Sequence, residues 1–91
     1  MRFAWEPRKA QLNSRKHGVT FDEAATCFAD ELAMELSDAD HPDRLILIGV
    51  SIATRLLLVF YAVLDEDDLI RIISARHPTR KERSKYEEGA F

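Results

Sequence analysis

The stretch IISARHPTRKERSKYE, residues 72–87, leaves an apolar strand and enters a segment with almost nothing to bury. Pro78 opens a run of helical composition in which Tyr86 is the only large apolar residue. A helix without an apolar stripe gains little from packing, so it needs another reason to be stable. The strand and the helix predicted here decide where the charged side chains near the end of the chain lie.

Length and composition indicate one small globular domain, residues 1–91. The longest nearly apolar run, residues 56–64, has the length of a strand and not of a membrane span. The first ten residues are polar and charged, so no signal peptide is readable and we expect a cytoplasmic protein. Cys27 is the single cysteine, which allows no disulfide within the chain and predicts a small buried hydrophobe.

Charge is segregated along the chain, although the net charge is only −3. Residues 1–19 carry five basic groups and one acidic group, and residues 20–43 carry eight acidic groups and no basic one. Residues 72–91 are again basic, with five basic and three acidic groups. If the fold brings the two basic ends together, they form an anion-binding face. Charge alone favours the alternative that these groups are ordinary solvated surface charges.

The pattern of apolar residues and turn signals predicts the element order β-α-α-β-β-β-β-α. Alternation at Phe3 and Trp5 predicts a short strand, and Pro7 and Gly18 bound a first helix. The capping box TFDE, residues 20–23, begins a second helix that ends near residues 28–30. Four strands are predicted at residues 32–36, 44–52, 56–64 and 69–76, and a last helix at residues 78–88.

Short turns between these strands, including residues 53–55 and 65–68, favour an antiparallel meander. The fold class expected is α+β, with an antiparallel twisted sheet, two N-terminal helices on one face and a C-terminal helix. Simple alternation in the last strand places residues 70, 72, 74 and 76 on one face, and residues 71, 73 and 75 on the other.

A stripe at helical spacing follows that strand. Its members are Thr79, Glu82, Arg83 and Tyr86, and Arg76 lies just before it. Two guanidinium groups, a carboxylate and a phenol within reach of one another suit phosphate chemistry. The alternative is an Arg76–Glu82 salt bridge that ties the helix to the sheet, with Tyr86 covering the sheet edge. The sequence leaves both interpretations open.

The three histidines do not point to a metal. His41 lies in a turn of aspartates, but no second histidine or cysteine falls at ligand spacing. His17, before the helix-ending Gly18, has the position of a residue that caps carbonyls, and His77 is either a helix cap or a proton carrier. We therefore expect neither a metal site nor a cofactor.

Three segments together resemble the BrnT family of bacterial toxins. They are FAWEPRKAQLNSRKHGVTFDEA at residues 3–24, DRLILIGVS at residues 43–51 and IRIISARHPTRKERSKYE at residues 70–87. The resemblance spans nearly the whole chain in the right order. It implies a RelE-like fold and the ribonuclease half of a type II toxin–antitoxin pair. It also implies metal-independent RNA cleavage, neutralisation by a BrnA-like antitoxin, and contact with promoter DNA only through that antitoxin.

The resemblance also assigns site residues. The catalytic candidates that it implies are Arg76, Glu82, Arg83, His17 and Tyr86. The RNA-binding candidates are Lys9, Asn13, Lys16, Arg44 and Arg80. Two positions depart from the family pattern: the arginine often found within the central strand is replaced by Arg55 at its start, and Glu6 stands where aspartate is usual.

The expected reaction is attack of the RNA 2′-hydroxyl on the adjacent phosphate. It needs one proton removed, one supplied and the extra negative charge stabilised. Arg76 and Arg83 would hold the phosphate, and either Glu82 or His17 would carry the proton. The alternative function is a non-catalytic module that clasps a protein partner through its acidic middle.

Overall fold

A computed structural model describes residues 1–64 and 68–89. The helices are α1 (Pro7–His17), α2 (Phe21–Thr26) and α3 (Arg80–Gly89), and a 3-10 turn (Cys27–Ala29) continues α2. The strands are β1 (Arg2–Ala4), β2 (Met34–Ser37), β3 (Leu45–Val50), β4 (Leu56–Val63) and β5 (Leu69–Arg76). Most of the turn predicted after β4, residues 65–67, lies outside the described residues. No helix of the described chain has the length and apolarity needed to cross a membrane.

The five strands form one sheet in the order β1-β5-β4-β3-β2. Strands β2 to β5 pair antiparallel, as their short turns predict. The prediction of a wholly antiparallel sheet is wrong, because β1 pairs in parallel with β5, Phe3 opposite Ile70. Two parallel strands that are neighbours in a sheet need a long connection between them. Here the segment from α1 to β4 forms that connection.

Local capping fixes the two N-terminal helices. The Glu6 carboxylate accepts hydrogen bonds from the backbone N–H groups of Arg8 and Lys9 and begins α1, and Gly18 ends it in the left-handed conformation at φ 68°. Thr20 caps α2 by accepting from the Glu23 N–H at 3.1 Å. The Glu23 carboxylate is instead bound to Arg55 and Ser51, which ties α2 to the β3–β4 turn.

The sheet has an apolar cluster on each face, because side chains alternate along β4. On the first face Leu57, Val59 and Tyr61 pack with α1, α2 and the 3-10 turn. Cys27 is buried there as predicted, and burial raises the pKa of its thiol to about 12. On the second face Leu56 and Leu58 form a smaller cluster beneath Tyr86 of α3. The N-terminal helices and α3 therefore cover opposite faces.

A β-bulge in β5 overturns the predicted alternation. Phe60 pairs with Ser74 and Tyr61 with Ile72, so Ile73 is an extra residue without a partner in β4. Ile70 and Ile72 belong to the first face, but Ser74 and Arg76 point to the second, opposite to the prediction that all four share one face. A single inserted residue reverses the face of every residue that follows.

No residue of helix α3 is fully buried. Contacts at three points hold the helix in place. At its start Thr79 and Glu82 form a capping box: the Glu82 N–H donates to Thr79 Oγ1 and the Thr79 N–H to Glu82 Oε1. In the middle the Tyr86 hydroxyl donates to Asp30 at 2.7 Å. At its end Gly89 lies so close to Met34 that a Cβ there would meet the methionine Cε at 1.5 Å. These contacts explain why a polar helix lies on the sheet.

Candidate functional site

Two surface cavities meet at the β5 bulge. The first, about 210 Å³, lies between α1 and the bulge, and the second, about 360 Å³, extends over the start of β3. Both are lined by Ile73 and Ser74, and we call the two adjoining cavities together the bulge groove. Its further lining residues are Lys9, Leu12, Asn13, Lys16 and His17 on the α1 side, and Asp38, Asp40, His41, Arg44 and Phe60 on the β3 side.

Asn13 holds α1 against the bulge. Its Nδ2 donates to the carbonyls of Ala75 at 2.8 Å and Val19 at 3.0 Å, and its Oδ1 accepts from the Ala75 N–H at 3.1 Å. The Ser74 hydroxyl lies 3.2 Å from the same Oδ1. Strand β1 pairs with β5 only as far as Arg71, so the backbone of Ala75 has no strand beside it on that edge. The Asn13 amide forms the hydrogen bonds that a neighbouring strand would otherwise form with Ala75. Since Asn13 is only 7% exposed and its amide is used by the backbone, it positions the groove.

Arg76 is held in place by Glu82 and Phe60. Its Nη1 and Nη2 donate to the two Glu82 oxygens at 2.8 and 3.0 Å, and Nη1 also donates to the His77 carbonyl. Its guanidinium carbon lies 5.7 Å from the centre of the Phe60 ring. Of the five guanidinium N–H groups, these bonds use three. The Nε–H and one Nη2–H have no acceptor within the described residues, and the side chain is 30% exposed. Arg76 is therefore fixed in position with donors still available.

Glu82 is suited to hold Arg76 and poorly suited to accept a proton. Hydrogen bonds from Arg76 lower the pKa of this carboxyl to about 2, helped by the Thr79 N–H and opposed by partial burial. A catalytic base works best with a pKa near the working pH. The Arg76–Glu82 salt bridge that the sequence left as an alternative is present, and it is bidentate.

The cations of the bulge groove come from distant parts of the chain. Lys9 and Lys16 extend from α1, and Arg44 lies at the start of β3. His17 is half-buried and lines the same cavity as the two lysines and Ser74. Arg76, at the end of β5, lines neither cavity but lies over the ring of Phe60, which does. The fold thus gathers three basic residues around the groove, although the chain carries a net charge of −3.

Other predicted site residues lie outside this groove. The Tyr86 ring packs on the second-face cluster and its hydroxyl binds Asp30, which raises the pKa of the phenol to about 12. Arg80 and Arg83 are exposed on α3 and line neither cavity. Among the described residues, no three His, Cys, Asp or Glu side chains converge as a metal site requires.

Sequence reasoning missed two features of the groove. Phe60 reads as a core residue because it lies within an apolar run, yet it is half-buried in the groove. The bulge at Ile73 leaves no mark in the apolar pattern. The available signal was Ser74, a polar residue that interrupts the strand two positions before Arg76.

The family described as "Ribonuclease toxin, BrnT, of type II toxin-antitoxin system" matches residues 5–82. The solved structures include the Brucella abortus ribonuclease toxin BrnT, which is 23% identical in sequence and superimposes with a TM-score of 0.71. The match covers 88% of this chain and 99% of the Brucella chain, which shows a shared fold. No match is found among curated proteins. Because the family match spans most of its length, the chain belongs to the BrnT family of ribonuclease toxins of type II toxin–antitoxin systems.

Proposed function

We propose that this chain is an endoribonuclease that cleaves RNA in the bulge groove without a metal ion. The 2′-hydroxyl attacks the adjacent phosphate, the bond from phosphorus to the 5′-oxygen breaks, and the 5′-oxygen leaves with a proton. One observation carries the proposal. The bulge puts Arg76, fixed by Glu82 but with donors available, on the same face as Phe60 and Ser74 of the bulge groove, whose other cavity is lined by the α1 cations. Preorganised donors aimed at a developing negative charge are the largest single contribution to many enzyme reactions.

We assign the roles within this mechanism as follows. Arg76 binds the phosphate that is attacked, and Lys9, Lys16 and Arg44 lie along the path of the RNA backbone. His17 is the proton carrier, because it lies in the groove beside Ser74 whereas the low pKa of Glu82 disfavours that residue.

The remaining candidates support or extend this site. Glu82 and Asn13 position other groups. Arg80 and Arg83 extend the basic surface along α3 for RNA that leaves the groove. We assign Tyr86 to the scaffold, because its hydroxyl and ring are both used to hold α3.

Cleavage of a labelled RNA by the purified chain tests the reaction directly. We expect fragments that end in a 2′,3′-cyclic phosphate, in equal yield with and without EDTA. Products ending in a 3′-hydroxyl would contradict 2′-hydroxyl attack, and loss of cleavage in EDTA would contradict the metal-independent mechanism.

Arg76→Ala tests the residue assigned to the phosphate. Loss of a transition-state donor lowers the cleavage rate by roughly 10²- to 10³-fold. Arg71→Ala is the matched control, since Arg71 is an exposed arginine of the same strand that lines a different cavity, with Ala4 and Pro7. Full activity of Arg76→Ala with normal folding would remove Arg76 from the site.

Membership of a toxin–antitoxin family implies a partner, and we propose a BrnA-like antitoxin that neutralises the chain in the bacterial cytoplasm. Promoter DNA would be contacted only through that antitoxin, and the fold would belong to the RelE-like type. Inducing the chain alone should arrest growth and degrade RNA, and Arg76→Ala should not. Unchanged growth and intact RNA with the wild-type chain would favour a non-catalytic binding module.

A further inference from the structure

We propose that Phe60 is a stacking platform for one nucleobase of the bound RNA, beside the phosphate held by Arg76. This inference rests on the proposed ribonuclease function and specifies how its groove reads the substrate. It divides the bulge groove into a backbone side on α1 and a base side at the start of β3.

The first argument is the position of the Phe60 ring. Leu56, Leu58 and Phe60 form one row along β4; the two leucines are buried, whereas Phe60 is half-buried and lines the larger cavity. Among the described residues, the three pairs of packed aromatic rings all lie on the first face of the sheet. Phe60 instead has the Arg76 guanidinium over its ring and packs in part against the cluster of Ile48, Leu56 and Leu58. The part of the ring that lines the cavity is the aromatic surface available to a ligand in the groove.

The second argument is the distribution of charge around the groove. Lys9, Lys16 and His17 line the cavity on the α1 side, which suits a phosphate backbone. The cavity that contains Phe60 is lined by two carboxylates, Asp38 and Asp40, as well as by Arg44, which lies toward the RNA backbone. The two carboxylates repel phosphate and accept hydrogen bonds from the amino group of a base. Ile73 and Ser74 belong to both cavities, so a nucleotide that crosses the bulge places its backbone and its base on different sides.

The third argument is the distance between the two groups. The guanidinium carbon of Arg76 and the centre of the Phe60 ring are 5.7 Å apart. One nucleotide can therefore place its phosphate against Arg76 and its base against the ring. Stacking on an aromatic ring tolerates any base, since every base has a π-face. Phe60 would thus contribute to affinity at one position of the RNA.

The test is equilibrium binding of short 2′-O-methyl oligoribonucleotides, in which the blocked 2′-oxygen prevents cleavage. One oligonucleotide is intact, and each of the others lacks a single base. With the wild-type chain, removal of the base that stacks should weaken binding roughly 5- to 150-fold, the range expected for one base–aromatic stack. In Phe60→Leu this difference should disappear, and in Phe60→Trp it should persist.

Phe3→Leu is the matched control, because Phe3 is a half-buried phenylalanine that packs on Phe28 at the first face. It should keep the wild-type difference between intact and abasic oligonucleotides. Circular dichroism establishes that each variant is folded. If Phe60 serves only as a support for Arg76, Phe60→Leu will weaken the intact and abasic oligonucleotides equally, and the proposal is overturned.

The stacking proposal is also overturned if the wild-type chain binds intact and abasic oligonucleotides equally well, or if the difference in affinity persists in Phe60→Leu. This measurement does not depend on cleavage. A chain that binds with the predicted Phe60 dependence but leaves RNA uncut would refute the proposed ribonuclease function and retain the stacking site.

Discussion

Asn13 joins α1 to the bulge of β5 with a single amide group. It is a polar residue in the interior, and its bonds to Ala75 span 62 positions of the sequence. Buried polar groups are tolerated when they are hydrogen-bonded, and here the amide also satisfies backbone groups that no strand reaches. Asn13, an RNA-binding candidate by the family resemblance, connects α1 to β5 in the structure.

Asn13→Ala should lower the free energy of unfolding by about 3 kcal/mol, because it leaves the Ala75 N–H and two carbonyls without partners in a buried place. Denaturant titration measures this loss. Gln11→Ala is the control, since Gln11 is exposed on the same helix, and it should be nearly neutral. A loss below about 1 kcal/mol for Asn13→Ala would mean that water replaces the amide without difficulty.

Glu82→Gln distinguishes a positioning residue from a base. A catalytic base contributes roughly 10²- to 10⁴-fold to the rate, and its replacement by an amide would also abolish the acidic limb of the pH–rate profile. We expect a smaller loss, below about 10-fold, and an unchanged acidic limb, because glutamine still accepts a hydrogen bond from Arg76. A flattened profile together with a large loss would restore Glu82 as the base.

The sequence identified Arg76 and Glu82 as candidate site residues, but it could not show whether the two side chains bind each other. Their spacing permits either a shared phosphate or a mutual ion pair, and only the path of the chain between β5 and α3 brings both Glu82 oxygens onto the guanidinium. Asn13 could not be understood from its neighbours in sequence, because its partners belong to the other end of the chain.

At the scale of elements, the sequence predicted the approximate ranges of the helices and strands. It did not predict the bulge within β5 or the parallel pairing of β1 with β5. The bounds of β5 agree with the prediction, since turn signals and apolar runs are local. The bulge depends on how β4 and β5 align, which neither strand reveals alone. The parallel pairing of β1 depends in the same way on where the α1–α2 segment returns the chain.

Helix α3 offers a test of the scaffold role of Tyr86. Tyr86→Phe removes the hydrogen bond to Asp30 and keeps the ring on the apolar cluster. We expect a loss of about 1 kcal/mol in unfolding free energy, since a single hydrogen bond contributes about that much, and RNA cleavage close to wild type. A fall in the cleavage rate of 100-fold or more with unchanged stability would instead place the phenol in the reaction.

For the whole molecule, the segregation of charge along the sequence becomes a separation in space. The basic N-terminal segment forms α1, which packs on β5 and whose lysines line one cavity of the bulge groove, whereas Arg76 and α3 lie on the other face of the sheet. The acidic segment, residues 20–43, supplies the α2 cap region, Asp30 beneath Tyr86 and the acidic end of the groove. An acidic protein can thus present a basic surface along α1, which net charge alone does not reveal.

Three carboxylates should make the stability of the whole molecule fall in acid. Arg55 lowers the pKa of Glu23, and Arg76 lowers that of Glu82 to about 2. Burial raises the pKa of Asp30, but hydrogen bonds from Val50, Tyr86 and Leu32 outweigh it, so that pKa is also lowered. A carboxyl with a lower pKa in the folded state stabilises it fully above the unfolded pKa, and loses that contribution as the pH falls.

The unfolding free energy should therefore stay nearly constant down to the ordinary carboxyl value of 4.5 and decline from there toward about 2, the folded pKa of Glu82. A shift of this size corresponds to about 3 kcal/mol by linkage. Because the Glu82 side chain is 26% exposed, solvent screening reduces the expected share to about 1–2 kcal/mol. Denaturant titrations from neutral to acidic pH measure the decline, and Glu82→Gln should make it shallower by that share. An equally steep decline in Glu82→Gln would show that the other carboxylates, and not the Arg76–Glu82 pair, determine the acid sensitivity.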